Sequence, residues 1–344
     1  MEKNNEKIKL CISIPTHDNR VYYEFMKSFT ATVMYLDHIQ VEYIIMHRVG
    51  SLINRSRNQL VSYFLASDCS HLIFLDSDIY GFEHFIKKMV DGIRDRPHEI
   101  PLFCGGIYPI KEYNWERLDK IDSQSLSLAQ KKLFCLEFNI NLLPNQGYRE
   151  ILQETARLRG LLKVRHVPSG CMFLHRNVFL TMIQSYPNRK YQPGVNEATV
   201  DLEHDSSNLM YNFFDSYIHD YDGNRQYLSE DYGFCQLWSQ TGGEVYAETS
   251  IPLGHQDGGV EYYGSYLEKT RLKVDVLYRL SANREKKDKE TEQENTTSPA
   301  SSENSRPRTP VVSNSLRNTN STSTTMNRNS QKIILPGIPE NNTT

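Results

Sequence analysis

Two carboxylates one residue apart, Asp76 and Asp78, close the apolar run Leu72-Ile73-Phe74-Leu75, with Ser77 between them. Such a run reads as a buried strand of an α/β sheet, and ligands of these sheets collect at the carboxyl ends of the strands. Hard oxygen ligands there suit Mg²⁺ or Mn²⁺, which keep positions open for water and phosphate oxygens and offset the charge of a diphosphate. The plainer alternative is an Asp pair capping the helix that follows. Glu230 and Asp231 are a second carboxylate pair, adjacent in sequence at the start of a helical stretch, where the positive helix end alone would favour them. Arg57 is either an exposed helix residue or a contact to a phosphate or a base. Lys111, just after Gly105-Gly106-Ile107-Tyr108-Pro109-Ile110, is either a solvated loop charge or a diphosphate contact. His17 and His255 each admit a bland reading as loop histidines.

These residues need a frame that brings distant segments to one edge. Lys9 to Ile14 is a short apolar run ending at Pro15, followed by helical spacing from Val21 to Leu36, which makes a first βα unit. A strand at Val41 to Met46, a helix from Leu52 to Ala66 and a strand at His71 to Leu75 continue the alternation, implying right-handed crossovers and a mostly parallel sheet. A helix over Phe82 to Arg94 and a strand at Leu102 to Gly106 come next, then a polar segment, Lys111 to Lys132, expected to be a loop insertion. Beyond it the pattern predicts strands at Leu161 to Val167, Cys171 to Leu174, Leu209 to Tyr217 and Glu244 to Ala247, with helices from Arg176 and over Glu230 to Gln240. The mixed spacing of this half points to antiparallel strands completing the sheet.

In this setting Asp76-Ser77-Asp78 resembles the D-x-D motif of GT-A glycosyltransferases, in particular the family 2-like group, and the resemblance covers most of residues 8 to 266. Ser13-Ile14-Pro15-Thr16 is similar to the first strand and nucleotide-contacting loop of those enzymes, and Asn54 to Leu60 to their Arg-Asn helix before the D-x-D strand. Val167 to Leu174 matches a segment placed under the acceptor site, where a small residue lets backbone approach a ligand. Ser229-Glu230-Asp231-Tyr232 resembles the E-D motif, and Leu253-Gly254-His255 the L-x-H pattern whose His completes the metal site. The resemblance implies a GT-A, Rossmann-like fold with a mixed, mostly parallel sheet flanked by helices. It implies a metal-dependent transferase moving a sugar from a UDP or GDP sugar to a glycan, lipid or protein acceptor. Mn²⁺ or Mg²⁺ would be held by Asp76, Asp78 and His255, with Pro15, Thr16, Arg57, Asp76, Asp78 and Lys111 contacting the donor. Asp231, beside Glu230, would be the base of an inverting reaction. Trp115 is either an acceptor-stacking platform or a surface anchor. Other readings are a retaining transferase of the same fold, a catalytically inactive sugar-nucleotide-binding protein, and a phosphohydrolase of the haloacid-dehalogenase type. That last family, however, places its D-x-D on the first strand.

Composition narrows the field. A formal net charge of -3 over 344 residues, with no basic stripe interleaved with aromatics, argues against nucleic acid as a partner. Six cysteines without C-x-x-C spacing favour a reducing compartment and no zinc site. No stretch reaches the roughly 18 apolar residues of a membrane span, and the first residues lack a signal region. The expectation is a cytoplasmic protein, with a place at the periphery of a membrane or virus factory left open. Residues 1–283 read as one catalytic domain and 284–344 as a disordered low-complexity tail, because Lys, Glu, Asn, Ser and Thr replace the large apolar residues there.

Overall fold

The computed structural model describes residues 7–192 and 207–296. In chain order the elements are β1 (Lys9–Thr16), α1 (Tyr23–His38), β2 (Glu42–Val49), α2 (Ile53–Ala66), β3 (His71–Leu75), β4 (Ile79–Tyr80), α3 (Phe82–Asp95), β5 (Phe103–Gly106), β6 (Pro109–Tyr113), α4 (Leu128–Cys135) and β7 (Leu136–Phe138). They continue with α5 (Tyr148–Arg157), β8 (Leu161–Val164), β9 (Cys171–His175), α6 (Arg176–Ser185), β10 (Tyr217–Tyr221), β11 (Asn224–Leu228), α7 (Glu230–Gln240), β12 (Val245–Glu248), β13 (Leu253–Asp257), β14 (Val260–Gly264) and α8 (Tyr266–Thr296). All but the end of α8 lie in the compact unit Met1–Glu290.

The central sheet has seven strands in the order β2-β1-β3-β9-β5-β12-β8. β1, β2, β3, β5 and β12 run one way; β9 and β8 run against their neighbours. This is the mixed, mostly parallel α/β sheet expected, and its antiparallel members come from the second half of the chain, as the spacing there predicts.

Alternation along each strand divides the core into two layers. Leu10 and Ile12 of β1 with Ile73 and Leu75 of β3 pack against Phe25 of α1 and Phe82, Phe85 and Met89 of α3. Cys11, Leu72 and Phe74 point the other way, onto Leu60 and Phe64 of α2, Phe179 of α6 and Phe234 of α7. Side chains two apart on a strand share a face, so a near-continuous apolar run such as β3 must be covered on both sides. The helices therefore lie on both faces of the sheet.

A smaller sheet, in the order β14-β13-β4, grows from the loop after β3. β13 runs antiparallel to β4, with His255 opposite Ile79 and Gly254 opposite Tyr80. The Gln256 N–H donates to the Asp78 carbonyl at 2.9 Å. The backbone itself thus carries residue 255 to the D-x-D turn from the far end of the domain.

Three expectations differ from what is found. The Tyr/Phe-rich stretch from Leu209 is no strand; residues 210–216 form a partly buried connection and the strand begins only at Tyr217. Its backbone makes a single bridge, Lys190 to Tyr211, and beyond that is held by a side chain: Asn58 Oδ1 accepts from the N–H groups of Phe213 (3.1 Å) and Phe214 (2.9 Å), and its Nδ2 donates to Asn212 Oδ1 (2.9 Å). The polar segment Lys111–Lys132 is more ordered than a loop insertion. β6 runs into it, and Ser127 with Gln130 forms a capping box that starts α4. Finally, α8 continues to Thr296, past the boundary drawn at Arg284. Lys, Glu and Gln cannot build a core but are good helix formers, so a composition that predicts no burial does not forbid a helix. The remainder of the expected tail, 297–344, lies outside the described residues.

Asn58 is buried, so Asn58→Ala leaves the Phe214 N–H unpaired and the Phe213 N–H with only its local bond to the Tyr211 carbonyl. It should cost about 1–3 kcal/mol, the worth of an unsatisfied buried donor. Urea unfolding monitored by circular dichroism measures it; a loss below about 0.5 kcal/mol would mean that the segment has another anchor.

Candidate functional site

β3 ends at Leu75 in the middle of the sheet, flanked by β1 and β9, so the chain leaves it at a carboxyl-end crevice. The turn that follows is fixed from three directions. Asp76 N–H donates to the Gly170 carbonyl at 2.8 Å, Ile79 N–H to the Asp76 carbonyl at 3.0 Å, and the Tyr22 N–H, from the loop after β1, to the Ser77 carbonyl at 3.2 Å. Pro15 and Thr16 end β1 at the same edge. The Thr16 hydroxyl is held 2.9 Å from Nε2 of His47 on β2.

Asp76 is bound from beneath. Nη2 of Arg57 donates to both of its carboxylate oxygens, at 2.9 and 3.0 Å. The guanidinium lies over the Phe74 ring, its carbon 5.3 Å from the centroid, and Arg57 is 2% exposed. Burial works to lower the Arg57 pKa, but the Asp76 carboxylate outweighs it and holds the guanidinium charged. The reading of Arg57 as an exposed helix residue is corrected here: α2 is buried from Ser56 to Leu65, so its polar side chains point into the protein. Arg57 reaches the site through Asp76.

Asp78 faces the small sheet. Its Oδ2 lies 2.8 Å from Lys111 Nζ on β6 and 3.3 Å from His255 Nε2 on β13. Burial pushes the Asp78 carboxyl up, but His255 and Lys111 together outweigh it and keep it below the usual range. Lys111 is therefore no stray loop charge. The other ring nitrogen of His255 is 2.9 Å from the Pro109 carbonyl, which can only accept, so Nδ1 carries the proton. Nε2 is left to face the carboxylate either as the second N–H of an imidazolium or as a lone pair matched by a shared cation. That is how ligating imidazoles are oriented.

Gly170 lets these parts close up. A Cβ at this position would stand 2.5 Å from the Tyr108 hydroxyl and 2.8 Å from Asp76 Oδ2. The Tyr108 hydroxyl accepts from the Gly170 N–H at 3.1 Å, and its ring packs edge-on against His255 with centroids 5.2 Å apart. Tyr108 thus joins the Asp76 and His255 sides. It drew no attention in the sequence, where its only signal is its place between a Gly-Gly strand end and Pro109.

The second carboxylate pair opens α7 within electrostatic reach of Arg57. Desolvation is the largest influence on both Glu230 and Asp231 and raises both pKa values; Asp231 adds to the rise at Glu230, and Arg57 opposes it at both. Asp76 also raises Glu230, and Asp231 raises Tyr108, so the two pairs share one electrostatic neighbourhood. Asp231 is 9% exposed. One of its oxygens accepts from the Ser229 hydroxyl and, at 2.8 Å, from the Tyr232 N–H, which is a helix-start arrangement as well as a way to fix the carboxylate.

Among the described residues, no three His, Cys, Asp or Glu side chains are grouped so as to hold a metal ion. Asp76 is engaged by Arg57, and what remains is a pair, Asp78 and His255. A pair fits a hard cation whose other positions go to phosphate oxygens and water. No helix among the described residues is long and apolar enough to cross a membrane.

No family model matches the chain, and no curated protein matches it. Among solved structures it is similar to A197 from STIV, 15% identical over 73% of this chain and 87% of that one, with a TM-score of 0.34. It is also similar to a glycosyltransferase involved in the glycosylation of the major capsid of PBCV-1. That match is 10% identical, covers 53% of this chain and 66% of the other, and has a TM-score of 0.26.

Gly170→Ala should drive Tyr108 or Asp76 from its place and cost about 1–3 kcal/mol as an overpacked site. Gly259→Ala is the control, since a Cβ there meets nothing within 4 Å. Equal urea midpoints for the two variants would show that the Gly170 contact yields without cost.

Proposed function

We propose that this protein is a glycosyltransferase that moves a sugar from a nucleotide-diphospho-sugar to an acceptor hydroxyl with the help of Mn²⁺ or Mg²⁺. The observation that carries the reading is the pairing of two carboxylate sets around one buried guanidinium. Asp78, with His255 and Lys111, is kept ionised and faces cationic or metal chemistry. Glu230 and Asp231 are desolvated and made more basic. Anion binding and proton removal need those opposite environments.

In this reading Asp78 and His255 would hold the cation, and Asp76, fixed by Arg57, would orient a water or the donor ribose. The bound ion would offset the charge of the diphosphate. Lys111 moves from Asp78 onto a phosphate oxygen when donor binds, and Pro15 and Thr16 border the nucleotide. Asp231 takes the proton of the acceptor hydroxyl as the new glycosidic bond forms, on the face opposite the leaving nucleotide. Desolvation keeps Asp231 basic. The donor's anomeric configuration is then inverted.

Release of UDP or GDP from a panel of their sugars, with Mn²⁺ or Mg²⁺ and with a chelator, tests the reaction. Asp78→Ala should abolish donor binding, and chelator should do the same to the wild type; donor affinity unchanged by chelator would remove the cation from the scheme. Asp231→Asn should lower transfer by about 10²–10⁴-fold with donor binding near normal. Product NMR showing the donor's configuration kept would reassign Asp231.

Stability should move against activity. The folded-state pKa of Glu230 lies above the ordinary carboxylate value, so below the unfolded value the fold buries a neutral acid at no charge cost. As pH rises through the folded value it must bury an anion and loses stability. Glu230→Gln should therefore raise the thermal midpoint at neutral pH, with the gain vanishing near about pH 4. A midpoint lower than wild type at neutral pH would mean that Arg57 more than offsets the desolvation.

A further inference from the structure

The strand that carries Lys111 also carries an aromatic wall. On β6, Tyr113 lies two residues beyond Lys111, on a strand whose pairing with β7 shifts register between Pro109 and Tyr113. On the small sheet, His255 of β13 is paired directly with Tyr262 of β14, so these two share a face. Tyr113 meets that face: the Tyr113 and Tyr262 rings are 5.0 Å apart between centroids, and the Tyr113 hydroxyl donates to the Glu261 carbonyl at 3.2 Å. Trp115 completes the wall. It stacks on Tyr113 with centroids 5.1 Å apart and planes 25° from parallel, and it remains 48% exposed. Its side chain is thus held on one face by Tyr113 and offers the rest to solvent.

We infer that Trp115, backed by Tyr113 and Tyr262, is a stacking subsite for a pyranose ring of a carbohydrate acceptor, beside the Asp78, Lys111 and His255 cluster. This rests on the transferase reading above and narrows its acceptor class to glycans. The wall supplies one open aromatic face. A pyranose has an apolar C–H face that can lie flat on a single ring, whereas a slot between two rings would better suit a nucleobase. Rigidity supports a ligand-binding role, because a ring already immobilised by its neighbour loses little side-chain entropy on binding. The position is also right for a second substrate: Tyr113 is about 7 Å along the strand from Lys111, beside the diphosphate position and not on it.

The two tryptophans make the test direct. Trp238 is 5% exposed and packed against Gly243, so a change in tryptophan emission on adding sugar reports Trp115. The full chain, free of nucleotide and metal, is titrated with methyl glycosides of glucose, galactose and mannose and with cellobiose, lactose and mannobiose. At least one should give a saturable shift in the wild type; isothermal titration calorimetry with that sugar, which needs no tryptophan, should then show affinity lowered by at least about tenfold in Trp115→Ala and partly restored in Trp115→Phe, with thermal midpoints unchanged. Nucleotide release from donor alone should be the same in Trp115→Ala as in wild type, while the acceptor KM rises. No shift with any sugar overturns the subsite, as does a shift that persists in Trp115→Ala, or one produced instead by UDP or GDP. Saturable Trp115-dependent sugar binding in a protein that releases no nucleotide from any donor would keep the subsite and remove the transferase reading. Transfer with an acceptor KM indifferent to Trp115 would do the reverse.

Discussion

The buried pair of Arg57 and Asp76 is the interaction on which the rest of the site depends. A guanidinium at 2% exposure is tolerable only if a carboxylate meets it, and removing either partner leaves a charge in an apolar surround. That requirement fixes α2 against the end of β3 and orients Asp76. It also explains why the loop at Ser169 and Gly170 closes so near: its backbone accepts from Asp76 N–H, and nothing larger than a hydrogen fits on residue 170. Arg57 further lies within electrostatic reach of Glu230 and Asp231, so one cation lets two carboxylate pairs stand in one cleft.

Two sheets divide the work. The central sheet supplies Asp76 with its fixed partner, and the small sheet supplies Lys111 and His255 to Asp78, one residue beyond. The division follows from the backbone. β3 stops at Leu75, the chain turns, and β4 starts at Ile79, so the two carboxylates of the D-x-D segment fall on either side of a turn and face different surroundings. Residue 255 is brought in by ladder hydrogen bonds to Ile79 and Asp78 instead of by a flexible loop. Its second nitrogen is spent on the Pro109 carbonyl, so both the position and the tautomer of His255 are set before any ligand arrives.

Much of this was legible in the sequence where periodicity and strand-end chemistry coincide. β3 and α7 occur within the bounds their residues predict, and Asp78, Lys111 and His255 lie together, while Asp76 turns to Arg57. What could not be read was whatever depends on a partner far along the chain. Arg57 in a helix offers no sign that both faces of that helix are covered, and Tyr108 looks like strand-end filler until Gly170 is laid beside it. The stretch from Leu209 has the residues of a strand and forms only one bridge, because the amide of Asn58 takes the N–H groups of Phe213 and Phe214. Lys and Glu after Arg284 ruled out a core, and helix continued regardless, since helix propensity and burial are separate properties.

The contrast in ionisation gives the cleft its direction. Asp78 is desolvated, yet His255 and Lys111 reverse the effect and keep it an anion; Glu230 and Asp231 are desolvated and only partly offset by Arg57, so they hold protons more firmly than an ordinary carboxylate. Nothing in the residue types distinguishes these acids. The difference is made by which element delivers the compensating charge: β6 and β13 bring theirs within 2.8 and 3.3 Å of Asp78, whereas the Arg57 guanidinium is committed to Asp76 and acts on α7 only through space. Moving Lys111 or His255 off Asp78, as a diphosphate or a cation would require, weakens the hold on that carboxylate and leaves the Glu230–Asp231 side untouched. In the proposed transferase reaction this separation would let ligands exchange at Asp78 while Glu230 and Asp231 keep the basicity that proton removal needs.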